Sequence, residues 1–278
     1  MMKKIFSVAV LAGFACFADE YQGFSLSGDY FGFTKEYGSF SSNNLGQTSG
    51  RLDIDGDELD GDLYGGTLSY INKIKGMSSE LSLSYRTGEY DGDQLASGFV
   101  PMVTEVENDN YELKWKLGGD LGKSPVRMFV NIGGVYDKAE RTDTLQDGWY
   151  YSDLDSPVNE IDIETWYGYL GLGFDGSVSL VKNDVWGLSV GMRIEANGLL
   201  GHQSYDGHLG DADEADDYIW GYNGKATAFV DVPIYGDTLM WSVFAEGGYL
   251  YQYFEAWDES LEETWEGYYA RAGVRVLF

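Results

Sequence analysis

Counting back from the C-terminus through "YYARAGVRVLF", Phe278, Val276, Val274, Ala272 and Ala270 fall on one side, and Arg275, Gly273 and Arg271 fall on the other. A two-residue period is a strand, and its apolar side must meet something apolar. The same alternation recurs along the chain. Tyr111, Leu113, Trp115 and Leu117 oppose Glu112, Lys114 and Lys116; Leu81, Leu83 and Tyr85 oppose Glu80, Ser82, Ser84 and Arg86. Trp186, Leu188, Val190, Met192 and Ile194 oppose Gly187, Ser189, Gly191, Arg193 and Glu195, while Leu239, Trp241, Val243 and Ala245 oppose Ser242 and Glu246. No helical pattern offers a cover for these apolar faces. An apolar outside around a polar inside is what lipid demands of a closed sheet, in which every backbone group is paired and no edge is left. The expected fold is all-β: one antiparallel transmembrane β-barrel.

Ten strands are read near residues 22–34, 62–72, 78–90, 109–118, 126–136, 161–174, 185–198, 218–232, 238–253 and 264–278, and eight or twelve remain compatible with such soft boundaries. In the sixth, "TWYGYLGLGF" switches parity, which reads as a bulge. Short connections alternate with long ones at 35–61, 91–108, 137–160, 199–217 and 254–263, so both termini fall in the periplasm and the long loops outside the cell.

The start of the chain agrees with export. Lys3 and Lys4 precede an apolar run from Ile5 to Phe14, and Cys16-Phe17-Ala18 has the small-x-small form of a cleavage site, so residues 1–18 read as a signal peptide and 19–278 as the barrel. The apolar run is too short to span a bilayer as a helix. Removing the signal leaves no cysteine, hence no disulfide framework. Composition fits as well: 38 glycines, 22 tyrosines, 8 tryptophans and 4 prolines make a β-rich, aromatic-rich chain.

Charge placement describes the lumen. Arg86, Lys114, Lys116, Arg127, Arg193, Lys225, Arg271 and Arg275 take inward positions, with Glu80, Glu112, Asp162, Glu164, Glu195, Asp231 and Glu246 on the same face. Mixed charges in so small a barrel pack and neutralise one another, which argues against a wide diffusion channel. The outer connections differ: "DIDGDELDGD" (53–62), "DADEADD" (211–217) and "EAWDESLEE" (255–263) contain no balancing base, and the whole chain has a formal charge of −28. A mouth of that sign gathers cations and repels anions, and nucleic acid is excluded as a partner. No cofactor is expected beyond Ca2+ or Mg2+ at these loops. Asp53, Asp55, Asp57, Asp60 and Asp62 offer hard oxygen ligands, yet a count from Asp53 puts Glu58 where an EF-hand needs glycine and Tyr64 where it needs a bidentate glutamate.

The signal peptide, the dyad-repeat strands and the terminal Phe278 resemble bacterial outer-membrane β-barrels, a resemblance that covers the mature chain. It implies outer-membrane lipid around the barrel and recognition of the last strand by the barrel-assembly machinery. A finer likeness concerns two short motifs. Asp91-Gly92-Asp93 follows the third strand and Asp206-Gly207-His208 follows the seventh. Omptins, ten-stranded outer-membrane endoproteases, carry an Asp-x-Asp in the second outer loop and an Asp-x-His in the fourth. The resemblance implies Asp91 and Asp93 as a water-binding pair, Asp206 and His208 as the activating dyad, and Glu36 in "FTKE" as a pocket acid for a basic peptide. The sequence departs from that family at Gln94 and Leu209, where it has an aromatic after each pair, and at Ser204, where it has an acid. His202 has no acid two residues before it and is expected at the rim.

The leading expectation is therefore a barrel with a narrow charged lumen and an acidic extracellular mouth, in a structural, binding or limited-transport (porin-like) role rather than an enzyme. Two alternatives stand beside it: an omptin-like endoprotease acting at basic residues, and a narrow channel that favours cationic solutes. No phosphate-binding glycine loop, zinc spacing or serine elbow is present.

Overall fold

The computed structural model describes residues 21–40, 57–74, 76–96, 100–121, 126–145, 157–207, 215–235, 239–257 and 261–278. The signal peptide, Asp53, Asp55 and His208 lie outside them. The chain forms ten antiparallel strands: β1 (Tyr21–Phe40), β2 (Asp57–Ile74), β3 (Met77–Ala96), β4 (Val100–Asp120), β5 (Val126–Leu145), β6 (Pro157–Lys182), β7 (Gly187–Gly207), β8 (Ala215–Tyr235), β9 (Met240–Ala256) and β10 (Leu261–Leu277). Each pairs with its chain neighbour, and β1 with β10 closes the barrel. At the seam Asp29 stands opposite Arg271 and Tyr30 opposite Ala270, while the backbones of Gln22 and Phe278 exchange hydrogen bonds of 3.1 and 2.7 Å. The last residue thus completes the ladder, leaving no open edge for lipid to meet.

The end that holds both termini, here the near end, has tight connections. Gly76 turns β2 into β3 at φ 86°, a left-handed value that an L side chain rarely adopts. Between β6 and β7, Asn183 Oδ1 accepts from the amides of Val185 and Trp186 at 2.9 Å, a side chain standing in for backbone to hold the turn.

Outside, the wall carries a belt of exposed apolar residues such as Leu26, Leu83, Leu170, Met192, Leu200 and Val274. In water such a surface would be a liability; in a bilayer it is the contact surface. Tyr30, Tyr64, Tyr85, Tyr111, Trp166, Trp220 and Tyr222 border the belt toward the far end, and Phe24, Trp186, Trp241 and Phe278 border it at the near end. Aromatic rings gather at both water interfaces, the tyrosines and tryptophans with a polar atom to offer the water.

Most strands run several residues past their sequence-expected ends toward the far end, and β6 also runs on at the near end to Lys182. Glu36, Asp60, Asp91, Asp93 and Asp206 therefore stand on strands rather than in loops, as Asp62 does at the expected start of β2. Among the described residues three register shifts occur, at Tyr37/Ser39, Asp143/Thr144 and Ser179/Val181, and none falls within "TWYGYLGLGF". The expected bulge is absent because parity never changes there. Tyr167 and Tyr169 point inward and are buried, with Gly168 between them on the outer face and Gly171 and Gly173 continuing the inward row. The same parity corrects two lumen assignments: Ile163 is buried inside, so Asp162 and Glu164 face out.

Candidate functional site

The lumen is crossed from wall to wall. Lys114 on β4 reaches Glu195 on β7 at 2.5 Å, and Tyr169 on β6 donates to Glu112 on β4 at 2.7 Å. Arg193 on β7 meets Glu246 on β9 at 3.4 Å, and Glu246 also faces Arg271 on β10 at 3.3 Å. Arg271 in turn forks onto Asp29 at 2.7 and 3.2 Å, and Asp29 accepts from Thr67 at 2.5 Å. Toward the near end, Lys116 lies 3.6 Å from Glu80 and 3.7 Å from Asp175, which is also held by Arg127 at 2.8 Å. Opposite charges so interleaved hold each other's desolvation in check, and they occupy the space a diffusion pore would need.

Toward the far end the inside turns aromatic. Phe33 stacks between Phe31 and Trp265 at centroid distances of 5.1 and 4.9 Å, with Tyr90 edge-on at 5.4 Å. Lys35 is set into this cluster, paired with Glu263 at 3.0 Å and lying over the Trp265 ring at 4.4 Å. Its charge is thus met by both a carboxylate and a π face. Leu59, Val106, Ile163 and Tyr205 complete the cluster. Between the aromatic layer and the charge network lies a cavity of about 170 Å³, bordered by Tyr167, Tyr169, Lys225, Asp137 and Trp265 among others.

The outer wall beyond the belt is acidic. Tyrosines of the far-end border donate to the carboxylates just past them: Tyr30 to Asp62 at 2.6 Å, Tyr85 to Asp109 at 2.7 Å, and Tyr249 to Glu266 at 2.6 Å. Thr34 does the same to Asp60 at 2.6 Å. These bonds fix the phenols upright where the apolar surface ends.

The residues singled out in the sequence take these positions. Asp91 and Asp93 are exposed on the face of β3 opposite to buried Tyr90, and Asp206 is exposed on the face of β7 opposite to buried Tyr205. All three point out of the barrel, on strands four places apart in the closed order, and are not brought together. Asp91 stands in register with Asp60 and Glu105, and Asp206 with Asp162. Glu36 also takes an outward position, between Glu58 and Thr264. Asp60 and Asp62 already accept from Thr34, Tyr30 and Tyr64, Asp57 opens β2, and among the described residues no group of three or more His, Cys, Asp or Glu is placed to hold a metal. His202 is in the far-end aromatic border, stacked on Trp166 at 5.7 Å and edge-on to Tyr218 at 5.5 Å. Sequence reading missed the inward tyrosines and Asp137, which it left in a loop; unbroken parity through "TWYGYLGLGF" was the signal available.

No family model matches the chain, and neither does any curated protein. Solved structures do. The outer membrane protease OmpT of Escherichia coli aligns with a TM-score of 0.57 at 12% identity, covering 94% of this chain and 97% of that one. The translocator domain of the autotransporter NalP from Neisseria meningitidis aligns at 0.39 and 10% identity (99% and 94% covered), and the toluene transporter TodX of Pseudomonas putida at 0.30 and 7% (94% and 90%). The fold is that of a bacterial outer-membrane β-barrel.

Proposed function

We propose that the chain works in the bacterial outer membrane as a structural or binding barrel, with a lumen that gives no general-diffusion path. Lipid surrounds the belt, the termini lie in the periplasm, the far end stands outside the cell, and the assembly machinery reads the strand ending in Phe278. The observation that carries the reading is the Lys114–Glu195 pair across the lumen, backed by the aromatic layer above it. Planar-bilayer recording of the refolded protein tests it: the expected trace has no porin-sized steps. Frequent large steps from folded protein would overturn the reading. Small cation-selective steps would instead favour a narrow channel fed by the acidic outer wall.

An omptin-like endoprotease is the second reading, and the full-length likeness to the OmpT fold favours it. The outward set of Asp91, Asp93 and Asp206 counts against it. Cleavage of dibasic fluorogenic peptides that disappears in His208→Ala would establish it; no cleavage, or equal rates in both proteins, would remove it.

A further inference from the structure

Almost every charged side chain bordering the 170 Å³ cavity has an opposite charge within ion-pair distance. Among the described residues, the two that lack one are a cation and an anion. Lys225 on β8 rests its ammonium 3.6 Å from the centre of the Tyr269 ring and makes no ion pair, since Glu195, its cross-strand neighbour, is held by Lys114 at 2.5 Å. Asp137 on β5 accepts from the amides of Asn110 at 3.0 Å and Asn108 at 3.1 Å and meets no cation. In a lumen where the other charges of this wall are matched, two unmatched ones of opposite sign could have paired with each other. They are instead held apart across a cavity, three strands from one another around the wall.

Each is supported in a way that leaves its charge directed at the cavity. Asn110 and Asn108 each donate to a different oxygen of the Asp137 carboxylate and a π face meets the Lys225 ammonium, and neither contact neutralises the charge. A charge bordering a low-dielectric space with no direct ion-pair partner is costly, and a ligand bringing that partner is bound correspondingly well. Tyr167, Tyr169 and Trp265 line the same cavity, flat faces suited to a short apolar linker. We propose that the cavity is a binding site for a small zwitterion, an ω-amino acid or short peptide fragment, with its carboxylate on Lys225 and its ammonium on Asp137. Lumen groups, rather than the acidic outer wall, select this ligand: a simple cation would meet only Asp137 and a simple anion only Lys225. The site rests on the filled lumen proposed above, and ligand titration and bilayer recording can fail independently.

The test is calorimetric titration of the refolded barrel in detergent with glycine, 4-aminobutyrate and 6-aminohexanoate, against acetate and methylammonium. The expected result is saturable binding of at least one zwitterion, ten-fold or more tighter than either singly charged probe. Asp137→Asn and Lys225→Gln, each checked for folding by its unboiled gel migration, should each weaken that binding at least ten-fold. No saturable zwitterion binding to the wild-type barrel overturns the proposal, as does acetate or methylammonium binding equally well. Zwitterion binding unchanged in a folded variant would place the ligand elsewhere and overturn it too.

Discussion

Lys114 and Glu195 lie three strands apart around the barrel wall, yet their charged atoms meet at 2.5 Å in its middle. Glu195 has a second donor in Asn131 at 3.1 Å, and only 3% of its side chain is exposed. Removing the lysine alone leaves a buried carboxylate with only the longer ion pair to Arg193 at 3.9 Å, whereas removing both charges leaves no buried carboxylate to compensate. Lys114→Met should therefore cost about 3–5 kcal/mol, and Lys114→Met/Glu195→Met distinctly less. Urea unfolding of the refolded barrels in lipid vesicles measures both; a double variant no better than the single would contradict the account.

The belt predicts a dependence on depth. Leu170 is exposed within it, so Leu170→Arg should cost about 2–4 kcal/mol, as a basic group at the bilayer centre does. Glu164, on the same face of the same strand beyond Trp166, should accept Glu164→Arg with no measurable loss. The same unfolding assay compares them, and equal costs would mean that the belt has been placed at the wrong height.

Glycine and aromatic side chains interlock inside the wall. A side chain at Gly173 would collide with the ring of Phe129 on the neighbouring strand, which lies over it. Gly173→Val should cost about 1–3 kcal/mol through overpacking, and adding Phe129→Ala should recover part of that loss. Strictly additive costs would show that the contact is not the cause.

A closed ladder joined at Gln22 and Phe278 resists detergent. Unboiled protein is expected to migrate differently from boiled protein and to fractionate with outer membranes. Recovery as soluble periplasmic protein would contradict the membrane reading.

Strand number, the closing strand and the inward face of eight basic residues were all legible in the alternation. Legibility ended where lipid ends. Above the belt the outer face turns acidic while the inner face turns aromatic, so the apolar-outward rule lapses and the stretch from Asp91 to Ala96 looks like a loop in sequence although it continues β3. Tyrosine caused the other error. Tyr167 and Tyr169 bury large rings inside the barrel because their hydroxyls reach Gln252 and Glu112, and an apolar-outward rule therefore assigns them, and Asp162 and Glu164 with them, to the wrong side. The Asp-x-Asp and Asp-x-His motifs were legible as spacing only, since spacing does not say which face of a strand an aspartate takes.

The overrun of the strands has a further consequence. From Tyr85 to Ala96 and back from Val100 to Tyr111, β3 and β4 rise beyond the aromatic border by roughly 25 Å, given about 3.4 Å per residue and the tilt of barrel strands. With the far end outside the cell, as proposed above, an antibody or phage would meet this stiff, hydrogen-bonded sheet of carboxylates before it came near the bilayer.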